Sequence, residues 1–177
     1  MTSHKTKKQC AVENKTLLAQ LPYYNCKVLT SANNLFGGEL LARMDRAASI
    51  AARRHSRRIT VTASVNHVAF NQAVPVGSVV TVEAAVSRAF RTSMEVFIDV
   101  WMEDRFNGEK SKVNEAIYTF VAVDDSGKPT TVPELKPETE LEIQRFEAAL
   151  RRKQLSLVLA GKMKPKDATE LKALFMD

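Results

Sequence analysis

The sequence predicts an α+β fold in which a curved antiparallel sheet wraps around one long central helix. Two observations carry this prediction. Apolar residues repeat at helical spacing from residue 38 to about residue 54, and four later runs between residues 59 and 123 have the polarity of strands joined by short turns. Because a helix with a wide apolar stripe must bury that stripe, we expect the helix to cover the apolar face of the sheet.

One globular domain is predicted at residues 21–134, since 177 residues suffice to bury a core without disulfides or metals. Residues 1–20 are expected to form a flexible basic tail. A short first strand is predicted around Val28 and Leu29, and residues 30–34 form a loop that tolerates unusual backbone angles. Cys10 and Cys26 do not suggest a disulfide framework, which favours a reducing, cytoplasmic location.

The long helix carries one carboxylate on its apolar side. Asp45 shares a face with Leu41, Ala42, Ala48 and Ser49, none of which is a cation. A carboxylate that points toward an apolar interior must find hydrogen-bond partners, and such groups are often catalytic or ligand-binding. The alternative is a structural carboxylate that caps a loop or pairs with a cation from another element. The apolar stripe itself consists of Leu40, Leu41, Met44, Ala47, Ala48 and Ala51.

A glycine pair, Gly37-Gly38, opens the helix. Glycine at a helix N-terminus leaves backbone N–H groups unpaired and lets another molecule approach closely. This arrangement suits an anion or a developing oxyanion. The other interpretation is an ordinary turn from loop to helix.

The strands follow the helix in order. From Ile59 to Phe70 most odd positions are apolar and the even positions are polar, which predicts a strand with one polar face. The remaining strands are predicted at 79–88, 93–103 and 113–123, with a hairpin turn at Asn107-Gly108 and a closing turn at 124–129.

Composition changes after residue 134, and residues 135–177 are predicted to be a helical extension. An amphipathic helix is expected from Pro137 to about Ala160, where Gly161 ends it, and Pro165 starts a short final helix. We expect this extension to pack against the domain or against another subunit.

Charge and hydropathy exclude several classes of protein. No stretch approaches the ~20 apolar residues of a membrane span, and no secretory signal is recognised, so no membrane association is expected. The net charge of +6 is concentrated in the tail and in an arginine cluster at residues 53–58 that suits a helix C-terminus. Without zinc spacing or a nucleic-acid-binding motif, no nucleic acid partner is expected.

Five blocks of sequence between residues 30 and 133 resemble the hot-dog fold acyl-CoA thioesterases, specifically their cytosolic acyl-CoA hydrolase branch. The blocks are Leu35-Phe36-Gly37-Gly38-Glu39-Leu40 with Met44-Asp45, Val61-Thr62-Ala63-Ser64-Val65, Pro75-Val76-Gly77, Arg91-Thr92-Ser93-Met94-Glu95-Val96, and Tyr118-Thr119-Phe120-Val121-Ala122-Val123-Asp124.

The resemblance implies hydrolysis of an acyl-CoA to a free fatty acid and coenzyme A. Asp45, from the same or a facing subunit, would act at the thioester, either as general base on water or as a nucleophile that forms an anhydride. The family also implicates Thr62, and the Gly38 N–H is expected to polarise the carbonyl. Neither a metal nor a cofactor is expected, since coenzyme A is part of the substrate.

Other site residues follow from the same resemblance. An asparagine six positions before the Phe of Phe-Gly-Gly commonly completes the site, and here that position is Thr30. Asn33 or Asn34 would substitute for it if the loop is rearranged. Residues predicted to contact coenzyme A are Phe36, Gly37, Arg91, Thr92 and Ser93.

Hot-dog proteins join their sheets edge to edge, so we expect a homodimer at least and a hexamer, a trimer of dimers, for this branch. One alternative function is an acyl-CoA-binding sensor that does not hydrolyse its ligand. A hydratase would place a histidine in the active site, whereas His4 is in the tail, His55 in the basic cluster and His67 in a predicted core or interface position.

Overall fold

The computed structural model describes residues 15–16 and 33–175. Its contacts divide the chain into two compact units, with the boundary between Glu134 and Leu135. In the described part of the chain, no helix is both long enough and apolar enough to cross a membrane. The predicted strand at Val28 and the position Thr30 lie outside the described residues.

The described residues of the first unit form one helix and a sheet of five antiparallel strands in the order β1-β3-β4-β5-β2. Strand β2, the second strand in the sequence, therefore lies at an edge of the sheet and pairs with β5, the last strand in the sequence. The elements are β1 (Lys15–Thr16), α1 (Gly37–Ser56), β2 (Ile59–Phe70), β3 (Val79–Ala89), β4 (Ser93–Glu103) and β5 (Lys110–Val123).

Helix α1 packs its small apolar face on the sheet, as its periodicity predicted. Met44 is fully buried, and burial of a side chain of that size contributes roughly 1.5–3 kcal/mol. The alanines allow the helix backbone to approach the strands closely, which leaves no room for larger side chains. The buried residues of α1 are Leu40, Met44, Ala47, Ala48, Ala51, Ala52, His55 and Ser56.

The end of α1 differs from the prediction, which stopped the helix near Arg54. The helix continues to Ser56, and Arg57 closes it in the left-handed conformation with φ 55°. This extension includes His55, which lies on the buried face with its Nε2 2.8 Å from the carbonyl oxygen of Pro133. His55 therefore belongs to the core side of the helix and not to the exposed basic cluster around it.

Strand β2 does not bury an apolar face as its alternation predicted. Ile59 is 57% exposed, and Val61 and Val65 are each 47% exposed, because β2 is an edge strand. Two bulges interrupt its pairing with β5, at Ala63 and at His67. His67 is exposed with φ 47°, so its predicted place in a core is wrong. Its alternative place in a subunit interface stays a prediction.

The second unit is helical, as expected. Helix α2 begins three residues later than predicted, because the Thr139 side chain and Glu142 form a reciprocal capping box at its N-terminus. Gln154 anchors the following segment within this unit, since its Oε1 accepts a hydrogen bond of 2.9 Å from the Leu171 N–H. The elements are α2 (Glu140–Leu159), a 3-10 turn (Pro165–Asp167), α3 (Thr169–Lys172) and a second 3-10 turn (Ala173–Phe175).

Candidate active site

The N-terminus of α1 presents backbone donors that have no partner among the described residues. Phe36 is the capping residue, and its carbonyl accepts the N–H groups of Glu39 at 3.0 Å and Leu40 at 3.1 Å. The N–H groups of Gly37 and Gly38 precede these bonds and have no carbonyl one turn earlier in the helix. Phe36 provides no side-chain cap. The helix therefore begins with two donors and the positive end of its dipole.

Two phenylalanine rings lie close to the glycine pair. A Cβ atom added to Gly38 would lie 2.6 Å from Cε1 of Phe36, and one added to Gly37 would lie 3.3 Å from Cζ of Phe70. Phe36 is 51% exposed and Phe70 is 55% exposed. The rings thus lie against the helix N-terminus while remaining accessible to a ligand.

An open cleft of about 420 Å³ adjoins this helix end. The loop that forms one wall is fixed by two backbone bonds, from the Leu35 N–H to the Val74 carbonyl at 2.8 Å and from the Val76 N–H to the Asn33 carbonyl at 3.3 Å. Asn33 has φ 55°, which asparagine tolerates better than most residues. The cleft is lined by Asn34, Leu35, Gly37, Leu40, Phe70, Asn71, Gln72, Ala73 and Val74.

Asp45 lies two turns further along α1, at the boundary between the helix and the edge strand. Its carboxylate is partly exposed, so the expectation that it faces the interior is only partly met. The Thr62 hydroxyl donates a hydrogen bond of 2.8 Å to Asp45 Oδ1. The structure thus brings together two predicted site residues that are distant in sequence.

The orientation of Thr62 depends on β2 pairing with β5. Thr62 lies opposite Phe120, whose side chain is buried on the side of the sheet that α1 covers. The bulge at Ala63 then shifts the register, so that Val65 lies opposite Tyr118. A bulge next to a functional site commonly redirects a side chain in this way.

Tyr118 is a residue for which the sequence suggested no role. Its side chain is 1% exposed beneath α1, and its hydroxyl donates to the Leu41 carbonyl at 3.3 Å. Burial, and then the negative charge of Asp45, raise the pKa of Tyr118 to about 12. One feature of the sequence could have indicated it: Tyr118 brings a hydroxyl to a position of β5 that the alternation of polar and apolar residues assigns to the buried face.

The predicted coenzyme A contacts do not all meet in one protomer. Arg91 and Thr92 lie in the β3–β4 turn, and Ser93 begins β4. The carbonyls of Arg91 and Thr92 accept backbone hydrogen bonds from the N–H groups of Val132 and Ala122. Ser93 and Val61 both pair with Val121 of β5, so Ser93 lies level with Val61, near the start of β2. Gly37, by contrast, contacts Phe70 at the far end of β2.

None of the three candidates for the loop asparagine is tested by this geometry, although Asn34 lines the cleft. Thr30 lies outside the described residues, and Asn33 is exposed in the loop that precedes α1. Among the described residues, Thr62 is the hydrogen-bond partner of the Asp45 carboxylate. The same part of the chain contains no cluster of three or more His, Cys, Asp or Glu side chains arranged to hold a metal.

Residues 32–106 match the family model of the thioesterase superfamily. The chain is also similar to a Bacillus subtilis protein named as an uncharacterized acyl-CoA thioester hydrolase, YkhA. The two are 43% identical over 120 residues, which cover 68% of this chain and 70% of the relative.

Two solved structures share the fold. One is an apo-hexameric acyl-CoA thioesterase that matches with a TM-score of 0.79 and 33% identity, covering 87% of this chain and 97% of that one. The other is an acyl-CoA hydrolase from Staphylococcus aureus in complex with butyryl coenzyme A, coenzyme A and coenzyme A disulfide. It matches with a TM-score of 0.74 and 31% identity, covering 91% of this chain and 96% of that one.

Further structures of the Staphylococcus aureus hydrolase carry alanine in place of an asparagine, an aspartate or a threonine. In that protein the aspartate follows the asparagine by 15 positions and precedes the threonine by 17 positions. The same residue separations connect Thr30, Asp45 and Thr62 of this chain.

Proposed function

This chain belongs to the thioesterase superfamily, and from that premise we propose that it is an acyl-CoA thioesterase that converts an acyl-CoA and water to a fatty acid and coenzyme A. The observation that carries the proposal is the Asp45–Thr62 hydrogen bond on the same helix that begins with the unpaired donors of Gly37 and Gly38. Thioester hydrolysis requires a base and an oxyanion site. Because roughly 10 Å of helix separates Gly38 from Asp45 in one chain, the two groups that act on one thioester come from the α1 helices of facing subunits.

In the proposed reaction, the thioester carbonyl oxygen accepts a hydrogen bond from the Gly38 N–H. Negative charge develops on this oxygen when a nucleophile adds to the carbonyl carbon. The donor and the helix dipole stabilise that charge without having to reorganise.

Asp45 of the facing subunit acts as general base. Its carboxylate takes a proton from water as the water oxygen bonds to the carbonyl carbon, while the Thr62 hydroxyl holds the carboxylate in place. The tetrahedral intermediate then collapses by breaking the C–S bond. Coenzyme A leaves as a thiolate that regains a proton from Asp45, and the acid product remains.

A second route uses Asp45 as the nucleophile. The carboxylate oxygen bonds to the carbonyl carbon, the C–S bond breaks, and an anhydride joins the acyl group to Asp45. Water then cleaves the anhydride. The Thr62 hydrogen bond to Oδ1 is compatible with this route also, because Oδ2 has no hydrogen-bond partner among the described residues.

The cleft beside the helix N-terminus suits part of the substrate, since its side walls include Leu35, Leu40 and Val74 together with the accessible ring of Phe70. The phosphates of coenzyme A carry negative charge, and the exposed guanidinium of Arg91 is our proposed partner for them, with Thr92 and Ser93 beside it. The scheme uses no cofactor beyond the coenzyme A of the substrate.

We propose that the active form is a homohexamer, as in the apo-hexameric thioesterase that shares the fold. Strand β2 supports self-association, because it is a twelve-residue strand at the edge of the sheet that the described residues form, and its Ile59, Val61 and Val65 side chains are exposed. A partner subunit seated there would also place a second Arg91 turn near the site. The reducing cytoplasm is the proposed location.

The test is release of free thiol from acyl-CoAs of short to long chain by the purified protein and by Asp45→Asn. We expect thiol release by the wild type and a loss of about 100-fold or more in kcat for Asp45→Asn, which is typical of removing a general base or nucleophile. Asp125→Asn is the matched control, because Asp125 is exposed in the turn after β5. It should keep wild-type activity.

Wild-type turnover by Asp45→Asn would contradict the catalytic assignment. Absence of thiol release by the wild type from every acyl-CoA, with binding retained in calorimetry, would instead establish the acyl-CoA sensor as the function. Position 30, where threonine replaces the asparagine of the family, would then be the first site to exchange.

A further inference from the structure

Tyr118 is the buried polar side chain nearest to the proposed chemistry that the mechanism does not use. It stands on β5 beneath α1, is 1% exposed, and directs its hydroxyl to the carbonyl oxygen of Leu41 at 3.3 Å. A phenylalanine would fill the same space without the cost of burying a hydroxyl. The presence of tyrosine therefore calls for a function of the hydroxyl.

The acceptor of this bond is the backbone group that also holds Asp45. In an α-helix the N–H of each residue donates to the carbonyl four positions earlier, so the Asp45 N–H shares the Leu41 carbonyl with Tyr118. The raised pKa of Tyr118, caused by burial and by the charge of Asp45, agrees with this proximity. The hydroxyl stays protonated at neutral pH and can only act as a donor to this carbonyl.

Two adjacent strands thus hold Asp45 from two sides. Thr62 on β2 binds the carboxylate, while Tyr118 on β5 binds the backbone of the same helical turn. The strands are paired at this point, with Val65 opposite Tyr118. Movement of the turn relative to the sheet would change the distance between Asp45 and Thr62.

We propose that Tyr118 is a positioning residue for the reaction, which fixes the helical turn of Asp45 to the sheet so that the carboxylate stays within hydrogen-bond distance of Thr62. This inference rests on the proposed function. In this role Tyr118 does not contact the substrate, and its hydroxyl does not transfer a proton.

The experiment compares kcat and KM of the full chain with those of Tyr118→Phe, which removes only the hydroxyl. We expect kcat to fall about fivefold, the effect of losing one neutral hydrogen bond, with KM unchanged within twofold. A second variant carries 4-aminophenylalanine at position 118, whose amino group restores a donor. It should recover most of the lost kcat.

Ser87→Ala is the matched control, because it also removes a buried hydroxyl, one that donates to Glu95 Oε1 at 2.6 Å on the outer part of the sheet. We expect a lower melting temperature for this variant with kcat unchanged. An unchanged kcat in Tyr118→Phe, or an equal loss in Ser87→Ala, would overturn the role of Tyr118. Both results leave the proposed function intact as long as Asp45→Asn is impaired, whereas failure of the wild type to release thiol would overturn that function itself.

Discussion

Thr62 Oγ1 lies 2.8 Å from Asp45 Oδ1, and this single bond connects an edge strand to the helix that the whole sheet surrounds. It occupies one carboxylate oxygen and leaves the other available for water or a thioester. A hydrogen bond to a charged group is worth roughly 1.5–3 kcal/mol, which is enough to fix the rotamer of a partly exposed aspartate.

Replacing Thr62 by valine, which keeps the shape and removes the hydroxyl, should lower kcat by about 10- to 100-fold, because about 1.4 kcal/mol corresponds to a factor of ten. Steady-state kinetics with saturating acyl-CoA measures the effect. Thr62→Ser retains the donor and should stay within about threefold of the wild type. Equal losses in both variants would show that the methyl group and not the hydroxyl is needed.

Gly38→Ala should impair catalysis more than Gly37→Ala. A Cβ on Gly38 would come within 2.6 Å of the Phe36 ring, whereas one on Gly37 would come only within 3.3 Å of Phe70. Displacement of Phe36 would disturb the N–H that we expect to face the oxyanion, and loss of one such donor costs about 100-fold or more in kcat. The double variant Phe36→Ala with Gly38→Ala relieves the contact and should recover part of kcat. If it recovers nothing, the ring contact is not the cause.

Single-turnover hydrolysis in ¹⁸O-labelled water should place the label in the fatty acid if Asp45 acts as general base. Mass spectrometry of the product and of the peptide that contains Asp45 makes the measurement. Unlabelled acid, with ¹⁸O in the Asp45 carboxylate, would show that the reaction passes through an anhydride.

Val65→Lys should weaken self-association, since lysine on an exposed edge strand opposes pairing with a second sheet. Light scattering after size-exclusion chromatography should show a hexamer for the wild type and smaller species for the variant. Phe106→Lys is the control, because Phe106 is also apolar and is more exposed than Val65, at 82% against 47%, but lies at the tip of the β4–β5 hairpin. A wild-type protein that elutes as a monomer would contradict the proposed assembly.

Alkaline pH should destabilise the fold through Tyr118. Its pKa rises to about 12 in the folded protein from an ordinary value near 10, so the folded state keeps a proton that the unfolded state loses. The free energy of unfolding should therefore fall as pH rises from about 10 to about 12. Urea unfolding across this range measures the slope, and Tyr118→Phe should show a smaller slope than the wild type. Identical slopes would mean that the tyrosine titrates normally.

The sequence by itself predicted the order and type of the elements from α1 to β5, although α1 ends later and β5 begins earlier than predicted, and it suggested the main site candidates. Helical spacing and strand alternation depend on neighbours a few residues apart, so the strands at 59–70 and 93–103 were predicted with their observed bounds. Asp45 was also identified from helical spacing, because its carboxylate interrupts the apolar stripe of the helix.

Tertiary structure alone decided how β2 is used. Its pairing with β5, rather than with the strand next to it in sequence, makes it an edge strand, and two inserted residues shift its register. The alternation of polar and apolar residues in the sequence cannot reveal a bulge. One inserted residue reverses the face of the sheet on which every later residue of the strand lies. That long-range pairing brings Thr62 to Asp45 and Tyr118 to Leu41, and it separates Arg91 from Gly37. Contacts between residues so far apart in the chain leave no periodic signal in the sequence.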